Sequence, residues 1–236
     1  WEIKDNIDND DVPSSLYYTI WYASVHYWAM FFNRSKFSNY EHHRDDSPIR
    51  EGASKIRSFY RHYTYKFKQK FQLEFINKHP FFLVPLQVFN DSQLLNHSPF
   101  KSMEAFIERS VSSFAKHSNP EDILVLKHHP ADRGECNYQI FVDRLTLKYK
   151  LENRLIYVHD LHLPTLLKQC KGVVSINSTT VLSAFHHQAP VKILGNAFYD
   201  MKGLACEGSL DNFWMNPTPV DKELSLQYNA PLRHSP

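Results

Sequence analysis

Glycine is scarce in this sequence, at 6 of 236 residues, against an average of about 7% in soluble proteins. The chain contains neither GxGxxG nor GxxxxGK[ST], the two glycine-rich patterns that bind the phosphates of dinucleotides and nucleoside triphosphates. If the protein binds a nucleotide, it must therefore do so in another way.

The sequence also contains few cysteines and no long apolar run. The three cysteines form no CxxC or CxxH pair, which excludes a disulfide scaffold and argues against a cysteine-based zinc site. No apolar run reaches the roughly 18–20 residues that a membrane span needs, and no signal peptide is visible. A net charge of +2 is too small for a protein that coats nucleic acid. We therefore expect a cytoplasmic protein with no nucleic-acid partner.

The first 79 residues are rich in aromatic and basic side chains. Residues 14–33 have apolar side chains at helical spacing, and residues 57–70 interleave lysine and arginine with phenylalanine and tyrosine. The second pattern is typical of an amphipathic helix with a solvated basic face. It also occurs where anionic lipid headgroups or single-stranded nucleic acids bind.

A regular alternation of strands and helices begins at Phe81. The apolar runs predict strands at 81–88, 123–127, 154–158, 173–176 and 191–194. The spacing predicts helices that open at Ser98-Pro99 and cover 137–149, 163–170 (stopping at Gly172) and 178–188. Strands that are apolar throughout and alternate with helices indicate a parallel sheet covered on both faces. The predicted fold is therefore α/β, with a Rossmann-like domain over residues 80–215 and a tail over 216–236.

Polar clusters follow four of the predicted strands, where ligands of such sheets bind. They are Gln87, Asp91 and Gln93 after the first strand, Lys127, His128, His129 and Arg133 after the second, His159 and Asp160 after the third, and Asn177, Ser178 and Thr179 after the fourth. Lysine, histidine and arginine donate hydrogen bonds to phosphate or carboxylate. Adjacent histidines on an extended segment point apart, so a metal site there is disfavoured.

Three of these polar groups have both a functional and a structural interpretation. The residues from Asn177 to Thr179 open a helix, whose N-terminus favours anions, although Asn177 or Ser178 would also serve as an ordinary cap. Asp91 could be a nucleophile, a base or a stabiliser of a cation, and an Asn-Asp-Ser turn accounts for it equally well. His159 and Asp160 could be a base and its orienting carboxylate, or Asp160 could cap the next helix. No GxSxG elbow is present, so a hydrolase triad is disfavoured. Four strand ends with polar clusters, which include two anion-type sites and one carboxylate, instead predict a nucleotide-sugar transferase whose phosphate leaving group is stabilised by protein donors rather than by a metal.

Several sequence blocks occur in an order that a known family shares. They are PLQVFNDSQLLNHSPF, LVLKHHPADRG, YVHDLHLP, INSTTVLSAFHHQAPVKILG and GLACEGSLDNFW, preceded by a Tyr-x-His-His-Arg segment at 40–44. Over residues 40–215 the chain resembles the bacterial capsule polysaccharide biosynthesis proteins of the KpsS/KpsC type, which are β-Kdo transferases. The undivided layout favours the KpsS type, and half of a two-module KpsC-type chain is the alternative.

The resemblance implies a fold, a reaction and partners. It implies a GT-B glycosyltransferase fold, with residues 80–215 as the C-terminal, nucleotide-binding half. Residues 1–79 would then link to or complete the acceptor side, and we expect most of the N-terminal domain to lie outside this chain, which begins at Trp1 rather than Met. The implied reaction transfers Kdo from CMP-Kdo, with retention and without metal or cofactor, to (lyso)phosphatidylglycerol or a growing oligo-Kdo linker. The implied place is the inner-membrane face, beside other capsule biosynthesis and export proteins.

The resemblance also implies roles for individual residues. Asp91 is the candidate catalytic carboxylate, with Gln87 and Gln93 orienting the sugar. His129 would bind the phosphate of CMP, and Ser178 and Thr179 the phosphate or ribose. Lys127 and Arg133 would neutralise the remaining charge, including the donor carboxylate. Further candidates are His128, Asn177, His43, Arg44, His159 and Asp160. A glycine expected near the Ser-Thr-Thr block is absent, since Val181 and Leu182 stand there. A transferase for CMP-sialic acid or a UDP-sugar, and a non-enzymatic export or scaffold protein, are the alternatives.

Overall fold

A computed structural model of the chain describes residues 25, 48–88 and 98–229. The strands are β1 Phe81–Pro85, β2 Ile123–Lys127, β3 Leu155–Val158, β4 Gly172–Ser175 and β5 Val191–Ile193. The helices are α1 Pro48–Ile76, α2 Met103–His117, α3 Gln139–Tyr149, α4 Leu163–Leu167, α5 Thr180–His186, α6 Leu210–Phe213 and α7 Lys222–Asn229, with a 3-10 turn at Pro130–Asp132. The chain divides into two compact units, Trp1–Ser54 and Lys55–Pro236. The sheet belongs to the second unit.

The five strands form one parallel sheet in the order β3-β2-β1-β4-β5. This confirms the predicted α/β, Rossmann-like architecture. Pro85 at the end of β1 lies opposite Lys127 at the end of β2, and Lys127 lies opposite Val158 at the end of β3. Because these carboxyl ends are level, the residues that follow the three strands meet at one edge of the sheet.

Both faces of the sheet are buried, which explains why its strands are apolar throughout. Successive side chains of a strand point to opposite faces. In β1, Phe82 and Val84 pack in a core with α2, α3 and α6, whereas Phe81 and Leu83 pack with α4, α5 and the end of α1. The sheet is therefore the middle layer of three.

Two of the predicted helix limits are wrong. The helix expected to open at Ser98-Pro99 begins at Met103, because Ser102 is extended and its hydroxyl accepts a hydrogen bond from the Ala105 N–H at 3.2 Å. The helix expected to run to residue 170 ends at Leu167, and Gly172 is the first residue of β4 rather than a helix stop.

The predicted segments on either side of the sheet are partly described. The basic and aromatic stretch 57–70 lies within α1, as the helical interpretation predicted. The tail packs on the domain, because Val220 is buried and the Ser225 hydroxyl donates to the Phe185 carbonyl at 3.0 Å. Of the predicted helix over 14–33, only Val25 is among the described residues, and it is helical. The domain limits predicted at residues 79 and 215 stay predictions.

Candidate functional site

A cavity of about 360 Å³ opens at the carboxyl edge of the sheet. Its walls come from the ends of β1, β2 and β3 and from the starts of α4 and α5. It is lined by Pro85, Leu86, Lys127, His128, His129, Pro130, Asp160, Leu161, His162, Leu163, Pro164 and Thr180. The cavity lies where the sequence predicted a site. Half of its lining residues are proline or leucine, and five of the others have side chains that can donate hydrogen bonds.

Lys127 brings a buried ammonium group to this cavity. It is the last residue of β2, only 7% exposed, and its Nζ makes a long hydrogen bond of 3.4 Å to the His159 carbonyl. Burial and then the charge of Arg133 lower the pKa of Lys127 to about 8. The group is therefore mainly charged at neutral pH and has donors available for an anion.

The two histidines after Lys127 are held differently. The Nδ1 of His128 lies 2.7 Å from the Tyr157 hydroxyl, and burial lowers the pKa of His128 to about 4, so its ring is neutral. Its buried Nε2 has no hydrogen-bond partner in the part of the chain that the structure describes. The Nδ1 of His129 accepts from the Ala131 N–H at 3.2 Å. In the neutral form of the ring, an accepting Nδ1 places the proton on Nε2.

Asp160 lies between two basic side chains. The Arg133 guanidinium donates to one of its carboxylate oxygens, and the other oxygen lies 3.1 Å from Nδ1 of His62 on α1. Asp160 does not cap the next helix: α4 begins at Leu163, with His162 at the N-cap position. The capping interpretation of Asp160 is therefore wrong.

The His159 ring is also not oriented by Asp160. It is 5% exposed and stacks on the Tyr65 ring, with ring centroids 3.9 Å apart and planes 8° from parallel. Among the described residues, neither of its ring nitrogens has a hydrogen-bond partner. Burial, followed by the proximity of His128 and Arg133, lowers the pKa of His159 to about 3. The hypothesis of a base with its orienting carboxylate is wrong for this pair.

The ends of β1 and β4 are joined by a pair of amide side chains. The Gln87 side-chain N–H donates to the Asn177 side-chain oxygen at 2.9 Å, and the Gln87 oxygen accepts from the Asn177 backbone N–H at 3.3 Å. Ser178, rather than Asn177, provides the cap, because its hydroxyl accepts from the Thr180 N–H at 3.2 Å. Thr179 occupies the N-cap position of α5 without a side-chain capping bond.

The structure thus brings the predicted residues Lys127, His128, His129 and Asp160 to one cavity. The predicted residues Asp91, Gln93, His43 and Arg44 lie outside the described residues. Sequence reasoning missed three contacts of α1: Arg61 reaches the loop after β2, and His62 and Tyr65 reach the residues after β3. Their spacing on one helix face was the available signal, but it did not reveal what that face contacts.

Within residues 48–88 and 98–229, no group of three or more His, Cys, Asp or Glu side chains is arranged to hold a metal.

The comparison with protein families decides the identity of the chain. The model of the family described as capsule polysaccharide biosynthesis protein matches residues 4–234. The chain belongs to this family. The resemblance of its sequence blocks is thereby confirmed.

Two bacterial relatives are similar over most of the chain. The capsule polysaccharide export protein KpsS of Escherichia coli is 38% identical over 214 residues, which are 89% of this chain and 55% of the relative. The capsule polysaccharide modification protein LipB of Neisseria meningitidis serogroup B is 39% identical over 210 residues, 87% of this chain and 50% of the relative. The chain spans about half the length of the curated relatives it matches.

Two solved structures show a weaker likeness. KpsC of Thermosulfurimonas dismutans, a β-Kdo 2,7 transferase, is 16% identical, with a TM-score of 0.39 over 88% of this chain and 67% of that one. Anabaena HepE, solved in complex with UDP-glucose, is 16% identical, with a TM-score of 0.36 over 70% of this chain and 42% of that one.

Proposed function

We propose that this member of the capsule polysaccharide biosynthesis family is the nucleotide-sugar-binding part of a glycosyltransferase of the GT-B type. The proposed donor is CMP-Kdo, and the proposed acceptor is a (lyso)phosphatidylglycerol lipid or a growing oligo-Kdo linker. The proposal combines the family membership with the resemblance of the motifs to β-Kdo transferases. Its place of action would be the cytoplasmic face of the inner membrane, beside other capsule proteins.

The observation that supports the proposal most is the content of the cavity. Lys127, His128 and His129 line it together, and Thr180 faces them from the start of α5. The Lys127 ammonium can donate to phosphate oxygens without a metal ion, and imidazole groups line the cavity beside it. This set fits a phosphate leaving group better than it fits a neutral ligand.

The proposed glycosyl transfer requires a different role from each of these side chains. The bond between the anomeric carbon of the sugar and a phosphate oxygen of CMP breaks, and its electron pair leaves with CMP. Lys127 and His129 would stabilise the charge that develops on that phosphate. A new bond forms to the acceptor hydroxyl, whose proton passes to a base. Asp91 is the proposed carboxylate that forms a covalent adduct or stabilises the cationic sugar, since retention requires one of the two.

Binding of CMP to the purified protein tests the donor. We expect selective binding by calorimetry without added metal, with UMP as the control nucleotide. His129→Ala should weaken CMP binding, whereas His186→Ala should not, because His186 is an exposed side chain at the far end of α5. Equal affinity of the His129→Ala and wild-type proteins would contradict the proposed phosphate site.

A charge-preserving change separates the role of Lys127 from that of its neighbours. Because the pKa of Lys127 is lowered to about 8, an anion that pairs with it should bind more weakly as the pH rises above 8. In Lys127→Arg the cation persists at higher pH, so the CMP affinity should lose this dependence between pH 7.5 and 9.5. An unchanged pH profile in that variant would exclude Lys127 from the anion contact.

Two alternatives lead to different results. Preference for UMP over CMP would favour a GT-B enzyme with another donor. A well-folded protein that binds neither nucleotide would favour an export or scaffold role.

The lipid acceptor remains a proposal drawn from the resemblance. Helix α1 exposes aromatic side chains such as Tyr60 and Phe71 beside the exposed Lys68 and Lys70, and such a surface suits an anionic membrane. No helix in the described part of the chain is long and apolar enough to span a bilayer.

A further inference from the structure

One face of α1 is directed at the candidate site. Arg61, Tyr65, Gln72 and Ile76 follow one another at steps of four, seven and four residues, which places them on the same side of a helix. Ile76 is buried in the core beneath the sheet. Of the three polar residues before it, Arg61 reaches the loop after β2, and Tyr65 and Gln72 reach the end of β3.

The loop after β2 is held by α1 at three atoms. The Arg61 guanidinium donates to the backbone carbonyl of Arg133 at 2.6 Å and to that of Cys136 at 3.2 Å. The Asn137 side-chain N–H donates to the Tyr65 hydroxyl at 3.3 Å. This loop leads from His129 to α3, so its anchoring bears directly on the basic wall of the cavity.

The end of β3 is held by the same helix. The Tyr65 ring stacks on His159 at 3.9 Å, and the Gln72 side-chain N–H donates to the Tyr157 carbonyl at 2.9 Å. His62 contacts the carboxylate of Asp160 at 3.1 Å, opposite the oxygen that Arg133 uses. A chain of polar contacts thus runs from the loop after β2, through Asp160, to α1.

We propose that Arg61, His62 and Tyr65 are positioning residues of the donor site. They do not belong to the lining of the cavity, and they act through the residues that they hold. The inference rests on the proposed function only for the identity of the ligand.

Asp160 shows how the positioning would affect binding. Its carboxylate lines the cavity, and a negative charge there repels an anionic donor unless it is neutralised. Arg133 and His62 each occupy one of its two oxygens. Without His62, one carboxylate oxygen loses its hydrogen-bond donor and Asp160 is less firmly fixed beside Arg133.

The first experiment replaces His62 and measures both binding and stability. We expect His62→Ala to weaken CMP binding about tenfold, the scale of one charge-assisted hydrogen bond. His62→Gln keeps an N–H donor and should restore most of the affinity. Lys70→Ala, on an exposed position of the same helix, is the matched control and should bind as the wild type does. The melting temperatures should stay close to one another, because the His62 side chain is 48% exposed.

Two outcomes would overturn the inference in this experiment. One is wild-type affinity in His62→Ala. The other is a loss in His62→Gln as large as the loss in His62→Ala, because the hydrogen bond to Asp160 would then not be the cause.

The second experiment uses no ligand, so it separates this inference from the proposed function. Tyr65→Leu removes the stacked ring, Tyr65→Phe keeps it, and Tyr60→Leu changes a tyrosine that is 70% exposed on the same helix. Hydrogen exchange by mass spectrometry should rise in residues 130–138 and 157–162 for Tyr65→Leu. For Tyr65→Phe, which loses the hydroxyl that accepts from Asn137, it should rise only in residues 130–138, and for Tyr60→Leu it should rise in neither segment. Unchanged exchange in Tyr65→Leu overturns the inference. If the exchange result holds and the wild type binds no CMP, the positioning stands and the proposed function fails.

Discussion

The buried ring of His159 should make the stability of this protein sensitive to mild acid. The pKa of His159 is lowered from 6.5 to about 3, chiefly by burial. Between these values the unfolded chain binds a proton that the folded chain does not, so the free energy of unfolding falls as the pH falls. The loss amounts to about 1.4 kcal/mol per pH unit below 6.5, which gives about 2 kcal/mol at pH 5.

His159→Phe isolates this contribution. Phenylalanine keeps a flat ring against Tyr65, where the two rings are 8° from parallel, but it has no proton to gain. In urea unfolding at pH 7 and pH 5, the variant should lose about 2 kcal/mol less than the wild type on acidification. At pH 7 it should be at least as stable, because neither ring nitrogen of His159 has a partner among the described residues.

A matched substitution shows whether the effect belongs to the buried ring. His186 is exposed on α5, so His186→Gln should lose as much stability on acidification as the wild type. If His159→Phe and the wild type lost equal stability between pH 7 and pH 5, the reasoning about the buried neutral imidazole would be refuted.

Three further substitutions and one control substitution test the packing around the sheet by chemical unfolding. Gly172→Ala should cost about 1–3 kcal/mol, because a Cβ there would lie 2.6 Å from the ring of the buried Phe213; wild-type stability would mean that the ring moves freely. Ser113→Ala should cost about 1–3 kcal/mol, since its hydroxyl bonds both a buried indole N–H and a carboxylate. Ser112→Ala, whose hydroxyl is more exposed, should cost under about 0.5 kcal/mol, and equal losses would contradict the network. Lys171→Met should cost about 3 kcal/mol, because it leaves a carboxylate that is 2% exposed without its cation; an unchanged midpoint would show that this pair contributes nothing.

The sheet could be predicted from the sequence because each strand is apolar on both faces. In β2 and β3 the predicted and observed limits agree to within one residue. The start of α2 was predicted wrongly, because Ser98-Pro99 has the pattern of a helix N-terminus. The chain uses Ser102, whose extended backbone lets its hydroxyl reach the Ala105 N–H.

The location of the site could be predicted more readily than the partners of its side chains. The basic group after β2 reaches the cavity because strands of a parallel sheet end at one edge. His159 and Asp160 are neighbours in sequence, and this wrongly suggested that their side chains contact each other. Consecutive residues that leave a strand point to opposite sides. The contact of Asp160 with His62 crosses 98 positions of sequence, and no local spacing predicts it.

The contacts of α1 also define which segments of this family can be exchanged as a unit. A recombination junction between α1 and β1 would keep every strand and every cavity-lining residue. It would nevertheless pair Arg61 and Tyr65 of one parent with Arg133, Cys136 and His159 of the other. Chimeras between relatives should therefore tolerate a junction upstream of Arg61 better than one at residues 77–80, although the later junction is the more natural choice from the order of strands and helices.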